Sequence, residues 1–189
     1  MENTRYLTPS AAGVLPMLGR NPADEERRLF EYFLMAARPQ VIDMAVFGEA
    51  LDLPLATIAR IMFSLNRSQS ISVLDQPPSA RVTWETSGLS GLADDLAALA
   101  LPGQKLLLST ADGFCVARVG WSSYEADVMA TREPTDISPS LGEIFPIHHG
   151  SSCFYLSANA RIDQKNTALL NLGHRLLLGC LTPAVQETC

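Results

Sequence analysis

Near residue 70 the hydrophobic pattern of this chain changes period. Before that point apolar residues recur every three or four positions in three successive blocks, and after it they alternate. In the first block Leu29, Phe30, Phe33, Leu34 and Ala37 form a broad helical stripe. Asn21-Pro22 suits an N-cap and first helical position, and Asp24, Glu25 and Glu26 fall where the helix dipole favours negative charge. Pro39 ends the block. A second helix is expected over residues 43–51, with Met44, Phe47 and Leu51 inward, and Asp52-Leu53-Pro54 makes a tight turn. A third is expected over residues 55–66, with Ile58, Ile61, Met62 and Leu65 at core spacing. Residues 70–75 and 81–86 then alternate on either side of a Pro-rich turn, which predicts a hairpin.

Helix, helix, tight turn, helix, hairpin is the order of a winged helix. Residues 47–61, which include Ala50-Leu51-Asp52-Leu53 and the opening Thr57-Ile58-Ala59-Arg60 of the third helix, resemble the helix-turn-helix core of winged-helix transcription factors. The resemblance covers about residues 22–87 and sets a first domain at residues 21–88. Asp52 stands where the family usually has glycine, and Asp tolerates left-handed geometry better than most residues. In a winged helix the third helix enters the major groove and the wing touches the backbone. The outward positions here are Ala56, Thr57, Arg60, Phe63, Ser64 and Arg67, with Arg81 on the wing. Three arginines would neutralise few phosphates, which predicts a weak salt-dependent affinity. Phe63 also replaces the polar residue that DNA readers carry, and Glu49 and Asp52 lie nearby. Protein contact through this surface is favoured, with DNA contact as the alternative.

The second half begins after a small-residue linker at residues 87–91. A helix over residues 91–100 would bury Leu92, Leu96 and Leu99. A strand at residues 105–109 meets Ala111-Asp112-Gly113, a hairpin turn, and returns through residues 114–121. Ser122-Ser123-Tyr124-Glu125 is a capping box opening a helix with Ala126, Val128, Met129 and Ala130. Two strands at residues 142–148 and 152–158 precede a last helix, from a cap at Asp163 to residue 181. The hairpin Ser109-Thr110-Ala111-Asp112-Gly113-Phe114, the helix opening at Ser122 and the strand feeding the last helix resemble the roadblock family of dynein light-chain-like modules, over residues 90–182. The middle helix is short for that family, and two strands follow it where the family has three; a GAF-like or other profilin-like sensor is the alternative. The resemblance implies a homodimer through Tyr124, Val128 and Met129 of the helix and Glu143, Ile144, Phe145 and Ile147 of the strand. It also implies a small GTPase or a scaffold protein as partner.

Composition narrows the remaining classes. Net charge is −6, and neither half is basic: residues 1–90 hold eight Lys/Arg against ten Asp/Glu, and residues 91–189 hold six against ten. His148 and His149 are adjacent, so on a strand they point to opposite faces, and His174 stands apart in a helix. No metal-ligand spacing, nucleophile elbow or phosphate loop occurs, so neither a metal, a cofactor nor an enzymatic activity is expected. Cys115, Cys153, Cys180 and Cys189 lack CxxC spacing and fit a reducing cytoplasm. No apolar run is long enough to span a bilayer, and the N-terminus makes a poor secretory signal. Residues 1–20, with Pro9 and Pro16 and no period, are expected to be a mobile arm, and residues 183–189 a tail. The expected fold class is α+β: a winged helix, then residues 89–182 as a roadblock-like (profilin-like) antiparallel sheet with flanking helices. The expected function is a non-enzymatic regulatory adaptor or scaffold. The alternative is a DNA-binding transcription regulator whose second module dimerises or senses a signal.

Overall fold

The computed structural model describes residues 4–36, 38–76, 91–131 and 142–179. Among these residues the fold is α+β, with seven helices and two antiparallel sheets of three and four strands. The first strand and helix are β1 (Tyr6–Pro9) and α1 (Ala11–Leu18). They overturn the expectation of a mobile arm. Ser10 caps α1 by accepting from Ala12 N–H at 3.3 Å, and Ala11, Gly13, Val14, Leu15, Met17 and Leu18 are all buried. A helix apolar all round belongs in a core and shows no stripe to reveal it.

Next come α2 (Glu25–Met35), β2 (Gln40–Val41), α3 (Met44–Leu51), α4 (Leu55–Arg67) and β3 (Ile71–Leu74). The cap of α2 is Asp24 rather than Asn21: its carboxylate accepts from Arg27 N–H at 3.1 Å, while Asn21 closes a local turn onto Ala23 N–H at 2.9 Å. Asp43 caps α3, its carboxylate accepting from Ala45 and Val46 N–H. Asp52 takes the left-handed conformation, φ 54°, that the turn into α4 requires. Phe33 and Phe47 meet edge to face with ring centroids 5.2 Å apart, an arrangement contributing about 0.5–1.5 kcal/mol beyond burial. The sheet order is β2-β1-β3, so β1 supplies the central strand and pairs Tyr6 with both Val41 and Leu74. The second strand of the expected hairpin, residues 81–86, lies outside the described residues, as do Arg81, residues 87–90 of the linker and residues 183–189.

The second half runs α5 (Leu92–Leu99), β4 (Leu106–Thr110), β5 (Cys115–Val119), α6 (Ser123–Ala130), β6 (Glu143–His149), β7 (Ser152–Ala158) and α7 (Ala168–Gly179). Its sheet order is β5-β4-β7-β6. Gly113, at φ 85°, makes the β4–β5 turn, and the capping box forms as expected, with Ser122 and Glu125 exchanging bonds of 3.2 and 3.0 Å. The last helix starts later than expected. Asn166 accepts from Ala168 N–H at 3.0 Å and begins α7, whereas Asp163 closes a turn onto Lys165 N–H at 3.0 Å. Leu106 and Leu108 face the main core, while Leu107 faces a small cluster with Ala126 and Ala130 of α6.

The two halves share one hydrophobic cluster, and α1 lies where they meet. Gly173 of α7 is there to admit α1: a Cβ on it would come within 2.9 Å of Val14 and 3.3 Å of Leu18. Two buried arginines tie elements together. Arg175 of α7 reaches Asp95 of α5 at 2.6 Å. Arg27 of α2, with no exposed surface, pairs with Glu31 at 2.7 Å and donates to the carbonyls of Leu18, Arg20 and His148.

Candidate interaction site

Burying Ile58, Ile61, Met62 and Leu65 turns the opposite face of α4 outward, because residues three and four apart share a helix face. On that face Ala56, Arg60, Phe63 and Arg67 are exposed, and Thr57 and Ser64 are half-buried. Phe63 is 69% exposed, the largest apolar surface on the helix. The start of α2 forms the facing wall of an open groove of about 550 Å³, lined by Arg60, Phe63, Ser64 and Arg67 on one side and by Arg20, Asp24, Glu25 and Glu26 on the other.

The charges in this groove are largely spent on one another. Arg20 contacts Glu26 at 2.5 Å and Asp24 at 3.5 Å, and Arg60 lies 3.3 Å from Glu25. Arg67 has no ion pair among the described residues. Three carboxylates beside three guanidinium groups leave the groove near neutral. An incoming phosphate would meet acidic residues within the screening distance of about 8–10 Å, and releases few counterions there. Phe63, by contrast, gains about 1.5–3 kcal/mol on full burial against a partner. The acidic wall was missed in the sequence because Asp24, Glu25 and Glu26 read there as first-turn dipole partners; their second use needs the packing of α2 beside α4.

In the second half the expected dimer residues separate into two groups. Tyr124 is 79% exposed and Val128 38%, one turn apart on the outer face of α6. Met129 instead packs toward its own sheet with Leu107, Ala126 and Ala130. Ile147 is buried, Phe145 packs against the main core, Ile144 is half-buried, and the Glu143 carboxylate accepts from Ile162 N–H at 2.9 Å. The alternation of an antiparallel pair directs the backbone groups of Ile144, Pro146 and His148 away from β7, since Pro146 opposite Tyr155 has no N–H to give. The later part of that outer edge is covered: the His148 carbonyl accepts from Arg27, and a Cβ on Gly19 would lie 3.2 Å from the Pro146 carbonyl oxygen. One further exposed aromatic, Phe114, follows the hairpin turn at 70% exposure, and its neighbour Gly113 abuts Thr131 at the end of α6. Nothing periodic marks it in the sequence.

His148 and His149 sit on β6, half-buried, and His174 is buried in α7. Among the described residues no group of three or more His, Cys, Asp or Glu could hold a metal ion, and no helix is long and apolar enough to cross a membrane. Cys115 and Cys153 are free thiols on β5 and β7. No known family model matches the chain, and no curated protein or solved structure shows significant similarity to it.

Proposed function

We propose that this protein is a non-enzymatic regulatory adaptor that works through protein–protein contacts, with the outer face of α4 as its partner surface. The observation that carries this reading is Phe63: a 69% exposed aromatic in a groove whose arginines are mostly paired with carboxylates of α2. The helix, turn and helix of α3 and α4, followed by β3, support the winged-helix resemblance. The run of helix, hairpin, helix, two strands and helix supports the roadblock-like one. Through the latter a small GTPase or a scaffold protein is the partner class. Self-association would use the outer face of α6, through Tyr124 and Val128, and not the end of the β6 edge covered by Arg27. The cytoplasm is the compartment that suits free thiols.

A second reading, a DNA-binding regulator, draws on Arg60 and Arg67 of α4, a helix with no acidic residue of its own. Fluorescence anisotropy on a random-sequence duplex, at low and raised salt, separates the two. The adaptor reading expects weak binding with a shallow salt slope, about one to three phosphates' worth. Tight binding with a steep slope, abolished in Arg60→Ala, favours the regulator.

A further inference from the structure

A second cleft lies at the C-terminal end of α4, built from four parts of the chain: residues 10–16, residues 66–73, Leu101, and residues 161–165 before α7. Two adjoining open grooves of about 540 and 550 Å³ share Gln69 and Lys165. Each is in the size range of about 300–1,000 Å³ that small-molecule sites occupy.

Arg161 and Lys165 are the cations of this cleft, and neither has an ion-pair partner among the described residues. Most other described arginines, and Lys105, are committed to a carboxylate, a carbonyl or a hydroxyl. In a chain of net charge −6, two uncommitted cations converging on one concavity make a local positive site. Asp163 is the acid among the lining residues; one of its oxygens accepts Lys165 N–H at 3.0 Å, which leaves the other for a hydroxyl.

Gln69 adds an exposed amide to the cleft. It follows the C-cap Ser68 with φ 59°, the left-handed position that glycine takes at helix ends. The turn closes the C-terminus of α4, with the Ser70 and Gln69 N–H groups donating to the Leu65 and Asn66 carbonyls at 2.9 and 3.1 Å. Its side-chain amide has no hydrogen bond among the described residues and lines both grooves. Asn66, one turn earlier, adds a further exposed amide.

We propose that this cleft binds a small phosphorylated polyol, of the sugar-phosphate or nucleoside-monophosphate class. Arg161 offers the guanidinium fork and Lys165 the point charge that phosphate oxygens need. Gln69, Asn66 and the free oxygen of Asp163 take the hydroxyls. The site touches the end of the helix that carries Phe63, so occupancy would act on the proposed partner surface from its far end. The binding itself does not depend on that surface having a partner.

The test is calorimetric titration of the full chain with inorganic phosphate, glucose 6-phosphate, adenosine monophosphate and unphosphorylated glucose. At least one of the two phosphorylated compounds should bind saturably and more tightly than inorganic phosphate, and glucose should not bind. Arg161→Ala with Lys165→Ala should weaken binding by about tenfold or more, the loss expected for charge-assisted hydrogen bonds. Gln69→Gly should raise the Tm of the free protein while weakening the ligand, which a purely structural glutamine would not do. No saturable binding up to about 10 mM, or unchanged affinity in the double variant, overturns the site. Equal affinity for inorganic phosphate and both phosphorylated compounds overturns the polyol part.

Discussion

The guanidinium of Arg27 on α2 donates to the backbone carbonyl of His148 on β6, 121 residues further along the chain. The same group bonds Glu31 and the carbonyls of Leu18 and Arg20, so one buried cation joins α1, α2 and the edge of the second sheet. Arg27→Ala leaves those acceptors buried and unpaired. Removing one partner of a buried charge network costs about 3–5 kcal/mol. Urea unfolding of the variant should show a loss of that size, and Arg27→Lys should recover little, since an ammonium cannot span the same acceptors. A loss below about 0.5 kcal/mol, typical of ordinary surface positions, would contradict this role.

Truncation tests the N-terminal segment. Leu7, Val14, Leu15, Met17 and Leu18 are each no more than 2% exposed. Each contributes about 1.5–3 kcal/mol by burial, so together they rival a whole domain's net stability of about 5–15 kcal/mol. Removing residues 1–19 should abolish cooperative unfolding. Gly13→Ala is the finer probe: its Cβ would sit 2.7 Å from Phe30 and 2.8 Å from the Ser70 backbone, a clash worth about 1–3 kcal/mol. A truncated chain with an unchanged Tm would restore the mobile-arm expectation.

Burial holds the imidazoles of His149 and His174 below their ordinary range. Around His149 burial is the largest cause, Glu31 opposes it and Arg27 reinforces it; around His174 Arg175 reinforces it. A lowered folded pKa means the unfolded chain binds protons first as pH falls. The stability is therefore complete above an ordinary imidazole pKa of about 6.5 and is lost as pH drops from there towards the folded values. Melting at pH 7.5, 6.5 and 5.5 should show a falling Tm, and His149→Gln should flatten part of the slope. A Tm that rises on acidification across this window would reverse the assignment.

The elements legible in the sequence are those decided by local chemistry. Ser122 caps its helix with neighbouring N–H groups, Asp112-Gly113 makes its turn, and the stripe of Ile58, Ile61, Met62 and Leu65 buries as its spacing dictates. What stayed hidden depends on partners far along the chain. Helix α1 is apolar all round, with only Ala12 and Pro16 towards the surface, so it shows neither period nor propensity. Arg27 looks like any helical arginine until Leu18, Arg20 and His148 turn carbonyls towards it. The outward face of α4 was readable from its inward one, yet the acidic wall opposite Phe63 belongs to another helix. Met129, Phe145 and Ile147 look like interface residues in one dimension and prove to pack on their own fold.

If α4 meets a protein partner through Phe63, quantitative affinity capture with three baits will reveal it: wild type, Phe63→Ser and Arg60→Ala. Losing the burial of one phenylalanine, about 1.5–3 kcal/mol, corresponds to a drop of about tenfold or more in affinity. At least one protein should be retained by wild type and by Arg60→Ala and lost with Phe63→Ser, with nuclease treatment making no difference. Capture that is unaffected by Phe63→Ser but abolished by Arg60→Ala or by nuclease would contradict it.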